Sequence, residues 1–147
     1  MTEKIILLVE DNQDDEELAL LAFQKGRVAN RVIVARDGAE ALDYLFGTGP
    51  HAGREVSDLA QLMLLDLKLP KIDGLEVLRR VRADNRTRRL PVVILTSSKE
   101  DEDLIQAYDL GVNSYVRKPV AFDQFVEAVG QLQVYWLVLN ESPPPRG

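Results

Sequence analysis

At 147 residues the chain has room for one domain, and a hydrophobic content of 46% is enough to fill its core. With 24 acidic residues against 18 basic and a net charge of −6, it lacks the broad basic surface that nucleic-acid phosphates require. It has no cysteine, which removes disulfides and thiolate chemistry, and its first apolar run is too short for a signal-peptide core or a membrane span, so the cytoplasm is the expected location.

Ile5-Ile6-Leu7-Leu8-Val9 is a continuous apolar run, the pattern of a strand buried on both faces. From Asp14 to Lys25, Leu18, Leu21 and Ala22 recur at helical spacing, and Gly26 is the expected stop. Arg31 to Ala35 reads as a second strand, and Asp37-Gly38 opens a helix carrying Ala41, Leu42 and Leu45. A breaker-rich loop, Gly47 to Arg54, holds His51, the only histidine, expected to face solvent. Leu62 to Leu65 is the third strand, and a helix starts near Asp73 with Leu75, Leu78 and Val81. Pro91 to Leu95 is the fourth strand, since proline is admissible at its first position. Glu100 to Leu110 is helical with a stop at Gly111, Ser114 to Arg117 is the fifth strand, and a last helix begins at Ala121.

Alternating strands and helices with no repeat imply an α/β fold, a doubly wound parallel sheet covered on both faces. The expected organisation is one domain over 1–140 with an extended last helix, then a Pro-rich tail over 141–147.

The polar residues that end the strands carry the chemistry. Glu10 and Asp11 follow the first strand, Asp66 the third, Thr96 and Ser97 the fourth, Lys118 the fifth. In a parallel sheet these ends share one rim, where ligands bind. Three clustered carboxylates call for a cation, and oxygen donors without histidine or cysteine suit Mg²⁺. A carboxylate nucleophile, a metal, a hydroxyl and an ammonium together meet the needs of phosphoryl transfer.

Four blocks, Val9-Glu10-Asp11-Asn12, Leu64-Leu65-Asp66 with the following turn to Gly74, Leu95-Thr96-Ser97-Ser98, and Tyr115-Val116-Arg117-Lys118-Pro119, resemble the signature blocks of response-regulator receiver domains, in order and at fitting spacing. The resemblance implies a flavodoxin-like sheet of five strands in the order 2-1-3-4-5. It implies Asp66 as the phospho-acceptor from a phosphohistidine of a sensor histidine kinase, with Mg²⁺ held by Asp11, Asp66 and the backbone carbonyl of Lys68. Glu10 stands where the family more often has aspartate, and would hold a metal-bound water. Lys118 would meet the phosphoryl oxygens, aimed inward by a cis bond to Pro119. Thr96 would turn toward the phosphoryl group and free space for Tyr115, a two-state switch of the surface made by the fourth helix, fifth strand and fifth helix. Tyr115 as plain core residue is the compatible alternative.

Two surfaces have competing readings. Arg79, Arg80, Arg82, Arg86, Arg88 and Arg89 fall within about three helical turns. They form either a solvated helix face or a docking surface for an acidic partner. In the last helix, Phe122, Phe125, Val126, Val129 and Leu132 make one apolar stripe, whereas Tyr135-Trp136-Leu137-Val138-Leu139 with Val134 is apolar all round. That segment either packs under the loop over 47–61 or, as favoured, builds a homodimer. This tail and the long loop resemble the single-domain regulators of bacterial and cyanobacterial phytochromes, which implies a phytochrome kinase as donor. The leading function is a signalling protein rather than a metabolic enzyme, with self-phosphorylation and autodephosphorylation as its own chemistry. An aspartyl-phosphate phosphohydrolase is the other class, disfavoured because Lys68 stands where such enzymes place a second acid. A pseudo-receiver binding module is the third, disfavoured by the full set of Asp11, Asp66, Thr96 and Lys118.

Overall fold

The computed structural model describes residues 5–25, 31–53, 60–118 and 121–132. Five strands pair in parallel in the order β2-β1-β3-β4-β5, as expected. They are β1 (Ile5–Val9), β2 (Arg31–Ala35), β3 (Leu62–Leu65), β4 (Val92–Thr96) and β5 (Ser114–Arg117). The helices are α1 (Gln13–Lys25), α2 (Gly38–Phe46), α3 (Gly74–Ala83), α4 (Asp101–Asp109) and α5 (Phe122–Leu132), with a short 3-10 turn at Gly49–His51.

Burial explains the apolar runs. Every residue of β3 and β4 is buried, as are all but the first of β1, while edge strands β2 and β5 are largely half-covered. Successive side chains serve opposite faces. Leu7, Met63, Leu65 and Ile94 pack against α2, α3 and α4 through Leu45, Val77, Leu78 and Ala107. Ile6, Leu8, Leu64 and Val93 meet α1 and α5 through Ala22, Phe23, Phe125 and Val129. Each large apolar side chain so buried contributes about 1.5–3 kcal/mol.

The ends of the helices are set by side-chain and backbone geometry. Asp37 caps α2 and Asp73 caps α3, each accepting from a backbone N–H three residues on, at 2.7 and 2.9 Å. Gly47 ends α2 in the left-handed region at φ 66°, and Gly111 follows α4 at φ 75°. Gly74 has another task. A Cβ there would run into the Asp66 carbonyl, so glycine lets α3 begin against the end of β3.

The structure differs from the sequence reading in α1. Leu21 is 46% exposed, and the buried face runs through Glu16, Ala19, Ala22 and Phe23. Glu16 is buried there because Arg36 pairs with it at 3.0 and 3.1 Å. Phe125 and Val129 of the α5 stripe are buried, with Phe122 and Val126 packed against them. His51 is only half-exposed, its ring edge-on to Tyr44 at 5.2 Å. No helix among the described residues is long and apolar enough to cross a membrane. The Gly26 stop, the Pro119 bond, the Leu132 side chain, the Tyr135–Leu139 segment and the tail over 141–147 lie outside what is described.

Candidate functional site

The parallel ladders carry one step past the apolar runs, and that step assembles the rim. Glu10 N–H donates to Ala35 O at the end of β2, Asp66 N–H to Val9 O, and Lys118 N–H to Thr96 O. Residues from four strands are thereby fixed side by side at the C-terminal edge of the sheet, where open α/β sheets bind ligands.

Glu10, Asp11 and Asp66 each present a carboxylate oxygen, and these lie within 4.8 Å of one another. Glu10 and Asp66 are 3% and 5% exposed, whereas Asp11 faces solvent. The Lys118 ammonium donates to Glu10 Oε1 at 2.7 Å, Asp15 Oδ2 at 2.7 Å and Asp66 Oδ2 at 3.2 Å. The other oxygens are engaged by backbone: Asn12 N–H donates to Glu10 Oε2 and Lys68 N–H to Asp66 Oδ1. Burial pushes the Glu10 carboxyl up to about 7, against the pull of Lys118. Burial alone would lower the Lys118 ammonium, but its bonds to Asp15 and Glu10 outweigh that and raise it.

The hydroxyl side of the rim is a second network. Thr96 is fully buried and its hydroxyl accepts from Ser98 N–H at 3.3 Å. Ser98 Oγ donates to Asp103 Oδ2 at 2.6 Å, and the Lys68 ammonium reaches the same carboxylate at 3.6 Å. Tyr115 is half-buried, and its buried hydroxyl has no hydrogen bond of normal geometry among the described residues. Desolvation raises its pKa, although Ser98 lies near enough to act against the rise.

Every site residue named from the sequence that is described here therefore sits at this rim or, for Tyr115, on the adjoining strand. Sequence reasoning missed Asp15, Ser98 and Asp103. No periodic signal marked Asp15, because Asp11 and Asn12 precede α1, and nothing in the sequence shows that Asp15 reaches Lys118.

The arginine cluster is a solvent-facing surface with one exception. Arg82 is turned inward, donating to the carbonyls of Arg88, Leu90, Leu110 and Gly111 at 2.7–2.9 Å. Burial lowers its pKa. Arg79 and Arg80 share Glu76, and Arg86 pairs with Asp84 at 2.9 Å beneath the Phe46 ring.

Comparison with known proteins agrees with the geometry. Residues 6–130 match the family model of the response regulator receiver domain. The probable methanogenesis regulatory protein FilR2 of Methanothrix harundinacea is 45% identical over 141 residues, covering 96% of this chain and 88% of that protein. Response regulator Rcp1 of Synechocystis sp. is 37% identical over 134 residues, covering 91% and 89%. Its Mn²⁺-bound crystal structure matches with TM-score 0.83 at 34% identity over 95% of this chain and 99% of that one. The phosphorylated cyanobacterial phytochrome response regulator RcpA matches with TM-score 0.84 at 38% identity, over 96% and 99%. The bacteriophytochrome response regulator AtBRR matches with TM-score 0.75 at 55% identity, over 95% and 99%. A model match that spans both faces of the sheet, with relatives of near-equal length, makes this chain a member of the response-regulator receiver family, related to the phytochrome response regulators.

Proposed function

We propose that the protein accepts a phosphoryl group on Asp66 from a phosphohistidine of a sensor histidine kinase, a phytochrome kinase by kinship with RcpA and AtBRR. The observation that carries this reading is the placement of Asp66. It is a buried carboxylate at the end of a central strand, with an ammonium at 3.2 Å and two further acids around it. A carboxylate oxygen of Asp66 attacks phosphorus while the phosphorus–nitrogen bond of the donor breaks, and the electron pair returns to the imidazole nitrogen, which takes up a proton.

The three carboxylates, with no nitrogen or sulfur donor among them, fit a hard divalent ion such as Mg²⁺. Asp11, Asp66 and the Lys68 carbonyl would hold it directly. Glu10, the longer acid beside Asp11, takes a water-mediated place by the family resemblance. When bound, the ion neutralises phosphoryl oxygens and so lowers the repulsion between donor and site. Lys118 meets the same oxygens from the end of β5 on that rim.

Thr96 and Tyr115 are the switch. A Thr96 hydroxyl that turns its proton toward the phosphoryl group changes the space beside the buried Tyr115 hydroxyl. The neighbouring α4 surface, where Ile105 and Tyr108 are 60% and 53% exposed, is then the face whose packing alters. Tyr135, Trp136, Leu137, Val138 and Leu139 supply the contact of a homodimer, which sedimentation of the full chain would test.

The decisive experiment is phosphotransfer from a phytochrome kinase, in light and in dark, with Mg²⁺ or with EDTA. Labelling should require the metal and vanish in Asp66→Asn. Label that persists in Asp66→Asn refutes the acceptor assignment.

A further inference from the structure

Asp15 begins as an unremarkable helix residue. Asn12 caps α1, accepting the Asp15 N–H on its side-chain oxygen at 3.0 Å, and an acid in a first turn suits the positive end of the helix dipole. Asp14, one position earlier and exposed, satisfies that local rule equally. Asp15 does more, because its Oδ2 lies 2.7 Å from the ammonium of a residue 103 positions away in the chain.

An ammonium has three N–H groups, and here each has a carboxylate: Glu10 and Asp66 on the inside, Asp15 on the outside. The exposures separate the three. Glu10 and Asp66 side chains are 3% and 6% exposed, while Asp15 is 37% exposed. Asp15 and Lys118 also share the wall of a cavity of about 390 Å³ between α1 and α5, with Asn12, Leu18, Ser97 and Phe125. Asp15 therefore draws the ammonium toward the cavity. Without it, the flexible lysine has only the two inner acids and falls back onto them.

We infer that Asp15 is a positioning residue for phosphoryl transfer, an outer anchor that holds the Lys118 ammonium at the cavity wall, shared between the inner acids and the site where the phosphoryl group arrives; the inference rests on the acceptor reading above. Once Asp66 carries the phosphoryl group, the N–H it held passes to a phosphoryl oxygen and Asp15 keeps its own. Lys118 is oriented by this geometry before the donor arrives, and orientation of that kind is worth orders of magnitude in rate when lost completely.

The test uses the full chain with Mg²⁺ and phosphoramidate, following the phosphorylated fraction by gel shift across donor concentrations. Asp15→Ala should lower the saturating rate about tenfold, the effect of one lost charge-assisted hydrogen bond. Asp15→Asn keeps an acceptor oxygen and should stay within about threefold of the parent. Asp14→Asn, which removes the same charge from the same turn, should leave the rate unchanged. In a Lys118→Ala background, Asp15→Ala should have no further effect, which a merely structural role would not produce. Thermal unfolding checks that each variant is folded, and Asp15→Leu, which keeps the size of the side chain and removes the acceptor, carries the comparison with the same expected slowing if Asp15→Ala is not. Labelling of Asp15→Ala as fast as the parent, or an equal slowing in the Lys118→Ala background, overturns the inference and leaves the acceptor reading intact. A parent protein that takes no label, or label retained in Asp66→Asn, overturns both.

Discussion

Replacing Lys118 with methionine keeps the length of the side chain and deletes the ammonium, leaving Glu10, Asp11 and Asp66 to face one another with no cation between them. Glu10 and Asp66 are so little exposed that water cannot substitute for the lysine. Removing one partner of a buried ion pair costs about 3–5 kcal/mol. The low end applies here for two reasons. Asp15, the third partner, is 37% exposed, and Glu10, already pushed up to about 7, relieves part of the repulsion by taking a proton. A loss of about 3 kcal/mol in EDTA is therefore expected, a large part of the roughly 5–15 kcal/mol that holds such a domain folded. It corresponds to about 10 °C in Tm. Saturating Mg²⁺ should restore much of this, since a ligand at a hundredfold excess over Kd adds about 2.7 kcal/mol to the folded state. The metal increment should be larger in Lys118→Met than in the parent, because the metal then supplies the only positive charge in the cluster. Urea unfolding of both proteins, in EDTA and in Mg²⁺, measures all four stabilities. If Lys118→Met falls within about 1 kcal/mol of the parent in EDTA and gains no more from Mg²⁺, the charge argument for the site is wrong.

Arg82→Ala should destabilise by about 2–3 kcal/mol in urea, since the charged guanidinium bonds four carbonyls that tie the end of α3 to the loops before β4 and β5. Arg79→Ala, an exposed residue that bonds the exposed side chains of Glu76 and Gln106, should cost less than about 1 kcal/mol, and equal effects of the two would refute the inward role of Arg82. Asp37→Ala should cost about 1 kcal/mol near neutral pH through loss of the α2 cap. The Glu40 N–H bond, with help from Lys71, holds the Asp37 carboxyl below its usual 3.8, so its contribution is complete above that pH. It is lost as pH falls through the lower folded value, and the gap between parent and variant should close there. A gap that stays constant below pH 3.8 would assign the loss to packing instead.

Most of the fold was legible because the sheet is parallel and central strands are buried on both faces. Ile5–Val9, Leu62–Leu65 and Val92–Leu95 are apolar without interruption, and the polar residues that follow them could be assigned to one rim by topology alone. Periodicity misjudged α1, because alanines and a paired Glu16 line its buried face while Leu21 points out. A scale that reads leucine as core cannot see that Arg36 makes a buried glutamate tolerable. Arg82 was hidden for a related reason. Its sequence neighbours are solvent-facing arginines, and only the meeting of α3 with the loops after α4 and before β4 gives it carbonyls to bind.

The same limit acts at the site, and it matters more there. Strand ends announce their own residues, so Glu10, Asp11, Asp66, Thr96 and Lys118 could be named in advance. Asp15, Ser98 and Asp103 belong to helix starts and a loop, where an acid or a serine has an ordinary local role that the structure also shows. What distinguishes them is a partner on a different element. Ser98 and Lys68 converge on Asp103, joining the β4–α4 segment to the turn after Asp66, while Asp15 and Asp66 divide one ammonium between helix and sheet. On the acceptor reading, a phosphoryl group on Asp66 shifts the claim on Lys118 and offers the Thr96 O–H an acceptor. Asp66 thus meets α1 through a shared cation, Lys118, while Ser98 and Lys68 tie the neighbouring strand end and turn to Asp103 of α4.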